Sequence, residues 1–271
     1  MIPLYDRNRS RTVPFVTIGL IVLNFLAFFY ELKVGATGGE EALNQLIDRF
    51  GVRPACVFAY LTGKRALVVE REVPTFFGFV TTRRQRIPLS AELCLLPLLT
   101  SMFLHAGWAH LIGNMWFLWI FGDNVEDRLG HVRFLIFYLL GGILASLVHI
   151  FVTVAFSSNP LIPTIGASGA VSAVLGAYFI AFPHARIVTF LPIFFFFYLV
   201  EIPASIYLFI WFFVQQLIPG LGSLGTLSSG GVAFWAHIGG FVAGMGYQLV
   251  FERRRPQGPG RYVTFRYVGA L

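Results

Sequence analysis

Residues 13–30 are the feature that most restricts how this chain can fold, because these 18 residues contain no charged side chain. An apolar run of this length is about the minimum that an α-helix needs to cross a bilayer. The run is followed by Glu-Leu-Lys rather than by a small-residue cleavage site, so it is predicted to be a retained membrane helix and not a signal peptide. Three arginines precede it, which places its start on the cytoplasmic side.

The composition also indicates a membrane protein. Apolar residues make up 56% of the chain and charged residues only 12%, roughly half the charged share of a soluble globular domain. These values argue against a secreted disulfide scaffold, a disordered chain and an ordinary cytosolic enzyme. The net charge of +7 lies largely beside apolar runs, where it sets orientation. The expected partner is therefore the lipid bilayer, and nucleic acid is not expected.

Five further apolar segments follow the first. They are residues 108–122, 132–156, 167–182, 198–217 and 231–251. The sequence therefore predicts an all-α polytopic membrane protein with a six-helix bundle and both ends in the cytoplasm. The expected domains are a cytoplasmic N-terminal segment (1–12), a membrane domain (13–252) and a basic cytoplasmic tail (253–271).

The first loop, at about 31–97, is long and contains scattered charges. Topology places this loop outside, since long loops translocate with little regard to charge. Cys56 and Cys94 lie in it. They can pair if the loop is outside, but two free thiols fit the sequence equally well.

Ionisable residues inside membrane spans are candidates for function, because burying them in hydrocarbon is costly. The second, fourth and sixth segments all run from outside to inside. His110 and Ser168 lie near the outer starts of the second and fourth, and His237 lies about 9 Å below the start of the sixth. Three polar groups on separate helices are therefore expected at one depth, below the outer surface.

A glycine face is predicted to bring two of these helices together. His237, Gly240 and Gly244 follow at spacings of three and four, so they share one face of a helix. Such small-residue faces allow close helix approach, and Ser168 and Ser172 form a matching stripe on the fourth segment. Small-residue stripes usually serve packing alone, but packing does not explain a histidine on the glycine face.

Serine and histidine in contact form a nucleophile and a general base. No acidic residue is expected at the same depth, so the sequence predicts a Ser168–His237 dyad rather than a triad. His110 and Asn114 are four residues apart on one helix face and aim two donors in one direction. With the backbone N–H of Ser168 they suit an oxyanion hole.

Four stretches of the chain resemble the rhomboid intramembrane serine proteases. They are HAGWAHLIGN at 105–114, GDNVEDRLG at 122–130, IGASGA at 165–170 and AHIGG at 236–240. The resemblance implies that Ser168 is the nucleophile, His237 the base, and His110 and Asn114 the oxyanion donors. It also implies structural roles for a further set, namely Gly166, Gly169, Gly240, Gly244, Glu126 and Arg128.

By the same resemblance, the substrates are transmembrane segments of other membrane proteins, which enter between the second and fifth spans, and no cofactor or metal is needed. Two features depart from the family pattern. The first loop lacks the Trp-Arg pair that many members carry, and Ser172 replaces a tyrosine that in many members stacks on the base. The second departure puts the packing of His237 in question.

Three alternatives remain open. A rhomboid-like protein that binds membrane clients without cutting them tends to lack the serine or the histidine, whereas both are present here. A transporter or channel is disfavoured because the polar groups lie near one face and not at the midplane. A zinc protease is disfavoured because His105 and His110 are five residues apart and H-E-x-x-H is absent. The expected location is the plasma membrane of a bacterium, with the membrane of an organelle as the open alternative.

Overall fold

The structure, a computed structural model, describes residues 1–8, 10–74, 80–156, 160–193, 195–224 and 233–251. Most of them are helical. The ten α-helices of the described ranges are α1 (Phe15–Phe50), α2 (Pro54–Leu61), α3 (Ala91–Cys94), α4 (Pro97–Thr100), α5 (Trp108–Leu129), α6 (His131–Phe156), α7 (Ser168–Ala181), α8 (Ala204–Ile210), α9 (Ile218–Gly222) and α10 (Phe234–Phe251). A 3₁₀ turn (Ser101–Phe103) follows α4, and a π-helical segment (Trp211–Leu217) joins α8 to α9.

Three helical segments of the described ranges are long and apolar enough to cross a membrane: Phe15–Phe50, His131–Phe156 and Ala204–Gly222. A fourth is added if Ala91–Phe103 and Trp108–Leu129, which meet at a bend of 77°, form one broken span. Helix α7 is apolar but has only 14 residues, about 21 Å of helix against a hydrocarbon core of about 30 Å. The protein is therefore a helical membrane protein, and the count of six spans stays a prediction.

Helix α1 is longer than the sequence predicts. It continues beyond Tyr30 to Phe50 and bends at Gly39, whose φ is 72°. The charged residues after Tyr30 do not end the helix, because Glu31 is buried and accepts hydrogen bonds from the backbone N–H of His105, whereas Lys33 is exposed. The first third of the expected loop is therefore helical.

The rest of the first loop has its own structure. It contains α2, α3 and a hairpin of strands β2 (Ala66–Pro74) and β3 (Val80–Pro88). Cys56 and Cys94 form a disulfide with a Cα–Cα distance of 5.4 Å, so the alternative of two free thiols is wrong. An isolated bridge between Val52 and Thr164 docks the loop against the segment that precedes α7.

A second departure from the all-α prediction lies at the opposite end of the bundle. Strands β1 (Ile2–Asp6), β4 (Arg186–Ile193) and β5 (Phe196–Pro203) form an antiparallel sheet in the order β1-β4-β5. Residues 198–203, which open the predicted fifth span, belong to β5, and the helix begins at Ala204, after Pro203. Hydropathy marks these residues as apolar but does not distinguish a strand from a helix.

Strand β1 is tied to the bundle by a polar cluster. The Asp6 carboxylate oxygen Oδ2 accepts from the hydroxyl of Tyr178 (2.5 Å) and from Nδ2 of Asn124 (2.9 Å). Burial raises the pKa of the Asp6 carboxyl to about 7, against the opposing effect of the Tyr178 hydrogen bond. Arg7 continues the connection with an ion pair to Glu201 on β5 (2.5 Å).

Helix α5 does not stop at the polar stretch that begins with Asp123. It runs to Leu129 and ends before Gly130, whose φ is 81°. Buried Glu126 accepts hydrogen bonds from the backbone N–H of Thr17 (2.7 Å) and Val16 (2.9 Å), at the start of α1. Because α1 satisfies this carboxylate, the polar residues can continue the helix instead of ending it.

Candidate active site

Helices α7 and α10 cross with their backbones almost in contact. A Cβ atom built on Gly240 would overlap the carbonyl oxygen of Gly169, and one built on Gly244 would overlap that of Ala173. Only glycine fits at these two positions of α10. The glycine face predicted from the sequence is therefore the face that meets α7.

The crossing sets the starts of both helices side by side. The position of a Cβ on Gly169 lies 3.9 Å from the Cβ of Ala236. Ser168 and His237 are the sequence neighbours of these two residues. The structure thus brings the predicted nucleophile and the predicted base to the same end of one helix crossing.

Ser168 is the first residue of α7, so its backbone N–H lies among those that have no partner within the helix. A cavity of about 20 Å³ borders this residue, and its polar lining includes Ser101, Ser146, His149 and Thr164. Nε2 of His149 lies 3.0 Å from Oγ1 of Thr164. The sequence analysis did not assign His149 to the site.

Gly166 lies between the side chains of Ser168 and His110. Its φ of +124° belongs to a region that L side chains rarely adopt. A Cβ on Gly166 would lie 2.7 Å from Nε2 of His110 and 3.7 Å from Oγ of Ser168. The absent side chain therefore leaves a space that both the imidazole of His110 and the hydroxyl of Ser168 border.

Asn114 lies one turn after His110 on α5 and is buried. Its Nδ2 has no hydrogen-bond partner within the part of the chain that the structure describes. A buried amide donor without a partner is uncommon. Such a donor is available to an oxygen atom that arrives with a ligand.

His105 is buried. Its ring meets the ring of His110 edge to face, with centroids 5.1 Å apart. Its backbone N–H donates to both carboxylate oxygens of Glu31, at 3.1 and 3.2 Å. The edge-to-face contact between the two rings allows His105 to restrict the rotation of the His110 ring.

His237 is held by a residue that the sequence analysis missed. Its Nδ1 lies 2.6 Å from Oε1 of Gln216, which is buried, and its ring centroid lies 6.4 Å from that of Trp211. Gln216 is one of two adjacent glutamines in the predicted fifth span. A polar residue inside an apolar span was the available signal, but the analysis gave weight to ionisable side chains.

The last predicted site residue, Arg128, lies away from Ser168. With the Gln248 amide turned so that its oxygen faces the guanidinium, that oxygen accepts from Nε of Arg128 at 2.6 Å and from Nη2 at 3.2 Å. Glu126 and Arg128 therefore bind α1 and α10 respectively, and neither borders the cavity. No group of three His, Cys, Asp or Glu side chains in the described ranges is arranged to hold a metal ion.

Comparison with known proteins gives one family. Residues 94–254, more than half of the chain, match the model of the Rhomboid domain. The chain is 29% identical over 197 residues to the presenilin-associated rhomboid-like protein A, mitochondrial, of Danio rerio, an alignment that covers 68% of this chain and 46% of the relative.

Two further relatives match over less of the chain. Rhomboid protein 1, mitochondrial, of Saccharomyces cerevisiae is 29% identical over 169 residues, covering 60% of this chain and 45% of that protein. The rhomboid protease GluP of Bacillus subtilis is 44% identical over 80 residues, covering 30% of this chain and 14% of that protein. The chain thus spans less than half the length of these relatives.

Proposed function

The chain belongs to the rhomboid family, and we propose that it is an intramembrane serine endopeptidase that cleaves transmembrane segments of other membrane proteins with a Ser168–His237 dyad. The α7–α10 crossing is the observation that carries this proposal. The glycines at the crossing place the starts of both helices together, and packing alone does not require a serine and a histidine there.

The reaction is an acyl transfer to serine followed by hydrolysis. His237 takes the proton of the Ser168 hydroxyl as Oγ attacks the scissile carbonyl carbon. Collapse of the tetrahedral intermediate breaks the C–N bond, and His237 returns the proton to the leaving amine. A water molecule, deprotonated by His237, then attacks the carbonyl carbon of the acyl-enzyme. The bond between that carbon and Oγ breaks, and His237 returns the proton to Oγ, which restores the Ser168 hydroxyl and releases the new carboxyl terminus.

The oxyanion of the intermediate is stabilised by His110, Asn114 and the backbone N–H of Ser168. Support for these roles comes from the ring nitrogen of His110 and the hydroxyl of Ser168, which border the space at Gly166, and from the unpartnered Nδ2 of Asn114. Donors that have no other partner do not need to break a bond before they stabilise the developing charge.

The proposed orientation places the first loop outside and both chain ends inside. The Cys56–Cys94 disulfide supports it, because disulfides persist in oxidising compartments. In this orientation Ser168 is near the outer surface and the β1-β4-β5 sheet faces the cytoplasm. The membrane is proposed to be a bacterial plasma membrane, although two of the relatives carry "mitochondrial" in their names.

The test is cleavage of a model transmembrane substrate by the purified chain in proteoliposomes. Wild type is expected to cut, and Ser168→Ala is expected to lose cleavage while keeping its melting temperature. Ser172→Ala is the matched control, since this buried serine lies one turn later on α7. A wild type that binds the substrate without cutting it would instead establish the client-binding alternative, and cleavage by Ser168→Ala would reject the dyad.

A further inference from the structure

Gln216 makes a direct contact with the proposed base. Its Oε1 lies 2.6 Å from Nδ1 of His237, and its side chain is buried. An amide oxygen can only accept a hydrogen bond, so the proton of the neutral imidazole must be on Nδ1 in this arrangement. The lone pair is then on Nε2, the nitrogen that is free to take the proton of Ser168.

We propose that Gln216 is a positioning residue that fixes the tautomer and the ring orientation of His237 for catalysis. The inference rests on the proposed function, since it assigns Gln216 a role in the same dyad. Gln216 contacts Nδ1 of the histidine, the same nitrogen that the acid of a serine protease triad contacts. Unlike that acid it is neutral, so it orients the imidazole without stabilising the imidazolium by charge.

The surroundings of His237 explain why such a residue is needed. The family resemblance places a stacking tyrosine at position 172, but Ser172 occupies it here. The Cβ of Ser172 lies 3.1 Å from the position of a Cβ on Gly240, so this serine faces α10 but has no aromatic ring to stack on the imidazole. The orientation of the ring must therefore be fixed from another element, and Gln216 with Trp211 provides it.

The π-helical segment accounts for the joint contact of Gln216 and Trp211 with one ring. In an α-helix, residues five positions apart point about 140° away from each other, at 100° per residue. The i→i+5 hydrogen bonds of a π-helix widen the turn, so such residues come closer to one face. Pro219, which has no N–H to donate, is the second residue of α9 and lies two positions after the end of this segment.

Three variants test the inference. Gln216→Met keeps a similar side-chain volume but has no oxygen acceptor, and kcat is expected to fall on the order of 10²-fold with little change in KM. Gln216→Glu keeps the acceptor and adds a charge that stabilises the imidazolium. It is expected to retain cleavage and to move the acidic limb of the pH–rate profile to higher pH. Gln215→Met, at the exposed neighbouring position, is the control and should match wild type.

A measurement that does not depend on cleavage separates this inference from the proposed function. The ¹⁵N chemical shifts of the His237 ring report which nitrogen carries the proton. Wild type is expected to be protonated at Nδ1, and Gln216→Met is expected to give a mixture of tautomers. Protonation at Nε2 in wild type, or full activity with an unchanged pH profile in both Gln216 variants, would overturn the role of Gln216. A wild type with the expected tautomer but no cleavage would count against the proposed function alone.

Discussion

Asn114→Ala offers the sharpest test of the proposed oxyanion hole, because the structure separates its catalytic cost from its structural cost. Nδ2 of Asn114 is buried and has no partner in the described part of the chain. Removing an amide donor that makes no hydrogen bond cannot break one. Such a group already bears a desolvation penalty of about 1–3 kcal/mol, and its removal offsets the packing that is lost.

The expected changes therefore differ in size and in kind. Loss of one oxyanion donor lowers kcat on the order of 10²–10³-fold, or about 3–4 kcal/mol in the transition state. KM should scarcely change, since the donor acts on the oxyanion and not on the ground-state carbonyl. The free energy of unfolding should change by less than about 1 kcal/mol.

Asn124→Ala is the matched control, because it removes a second buried amide from the same helix. Here Nδ2 donates to Asp6 (2.9 Å) and Oδ1 accepts from Asn8 (2.7 Å). Truncation leaves these groups unpaired and should cost about 2–3 kcal/mol of stability. Folded protein should cleave at the wild-type rate, since none of these contacts reaches Ser168.

The assay is cleavage of the model substrate in proteoliposomes, with kcat and KM measured beside the melting temperature. The reasoning is refuted if Asn114→Ala melts at a lower temperature, as Asn124→Ala does, while its folded fraction cleaves normally. Asn114 would then be a packing residue. The backbone N–H of Ser168 and the ring of His110 would remain as the donors.

Three further predictions concern other parts of the molecule. Gly244→Leu should lower stability and activity together, because the new side chain meets the Ala173 carbonyl on α7. Gly246→Leu, with open space around it, is the control and should leave the melting temperature and cleavage rate unchanged. Loss of stability in Gly244→Leu without loss of specific activity would contradict the view that this crossing positions the dyad. Gly166→Ala should lower kcat on the order of 10²-fold by displacing the His110 ring. Gly63→Ala, also at positive φ (79°) but in open space, is the control and should share only the backbone strain of about 1–3 kcal/mol. Equal kinetics in the two variants would show that the space at Gly166 does not position His110. Because burial holds the pKa of Asp6 near 7, ionisation of this carboxyl between pH 6 and 8 should loosen strand β1. The distance distribution between spin labels on β1 and β5 should therefore broaden as the pH rises, and Asp6→Asn should abolish that pH dependence. The same pH response in Asp6→Asn would show that Asp6 does not control the strand.

The sequence allowed prediction of features that depend on local spacing. The contact face of α10 follows from glycines at 240 and 244, since residues four apart share a helix face. The start of α7 at Ser168 follows from the glycine-rich turn before it. These features need no knowledge of the partner helix, because a small-residue face can pack closely against few other surfaces.

Other features depend on contacts between distant residues, and the sequence does not show these. Glu126 could not be matched with the start of α1 without the fold, so the polar stretch around it was interpreted as the end of a helix. Residues 198–203 of β5 were assigned to a span because hydropathy does not distinguish a strand from a helix. Gln216 was missed because nothing in the sequence shows that the fifth segment places this uncharged residue against His237.

Strand β1 has a consequence for how the molecule is made. The ion pair between Arg7 and Glu201 joins residues that are 194 positions apart in sequence, and β1 can pair with β4 only after helices α1 to α7 have been synthesised. Contacts of such high sequence separation form late, because they close a long loop of chain. Strand β1 is thus made before α1 but is among the last elements to reach its final position, where Asp6 contacts Tyr178 and Arg7 contacts Glu201.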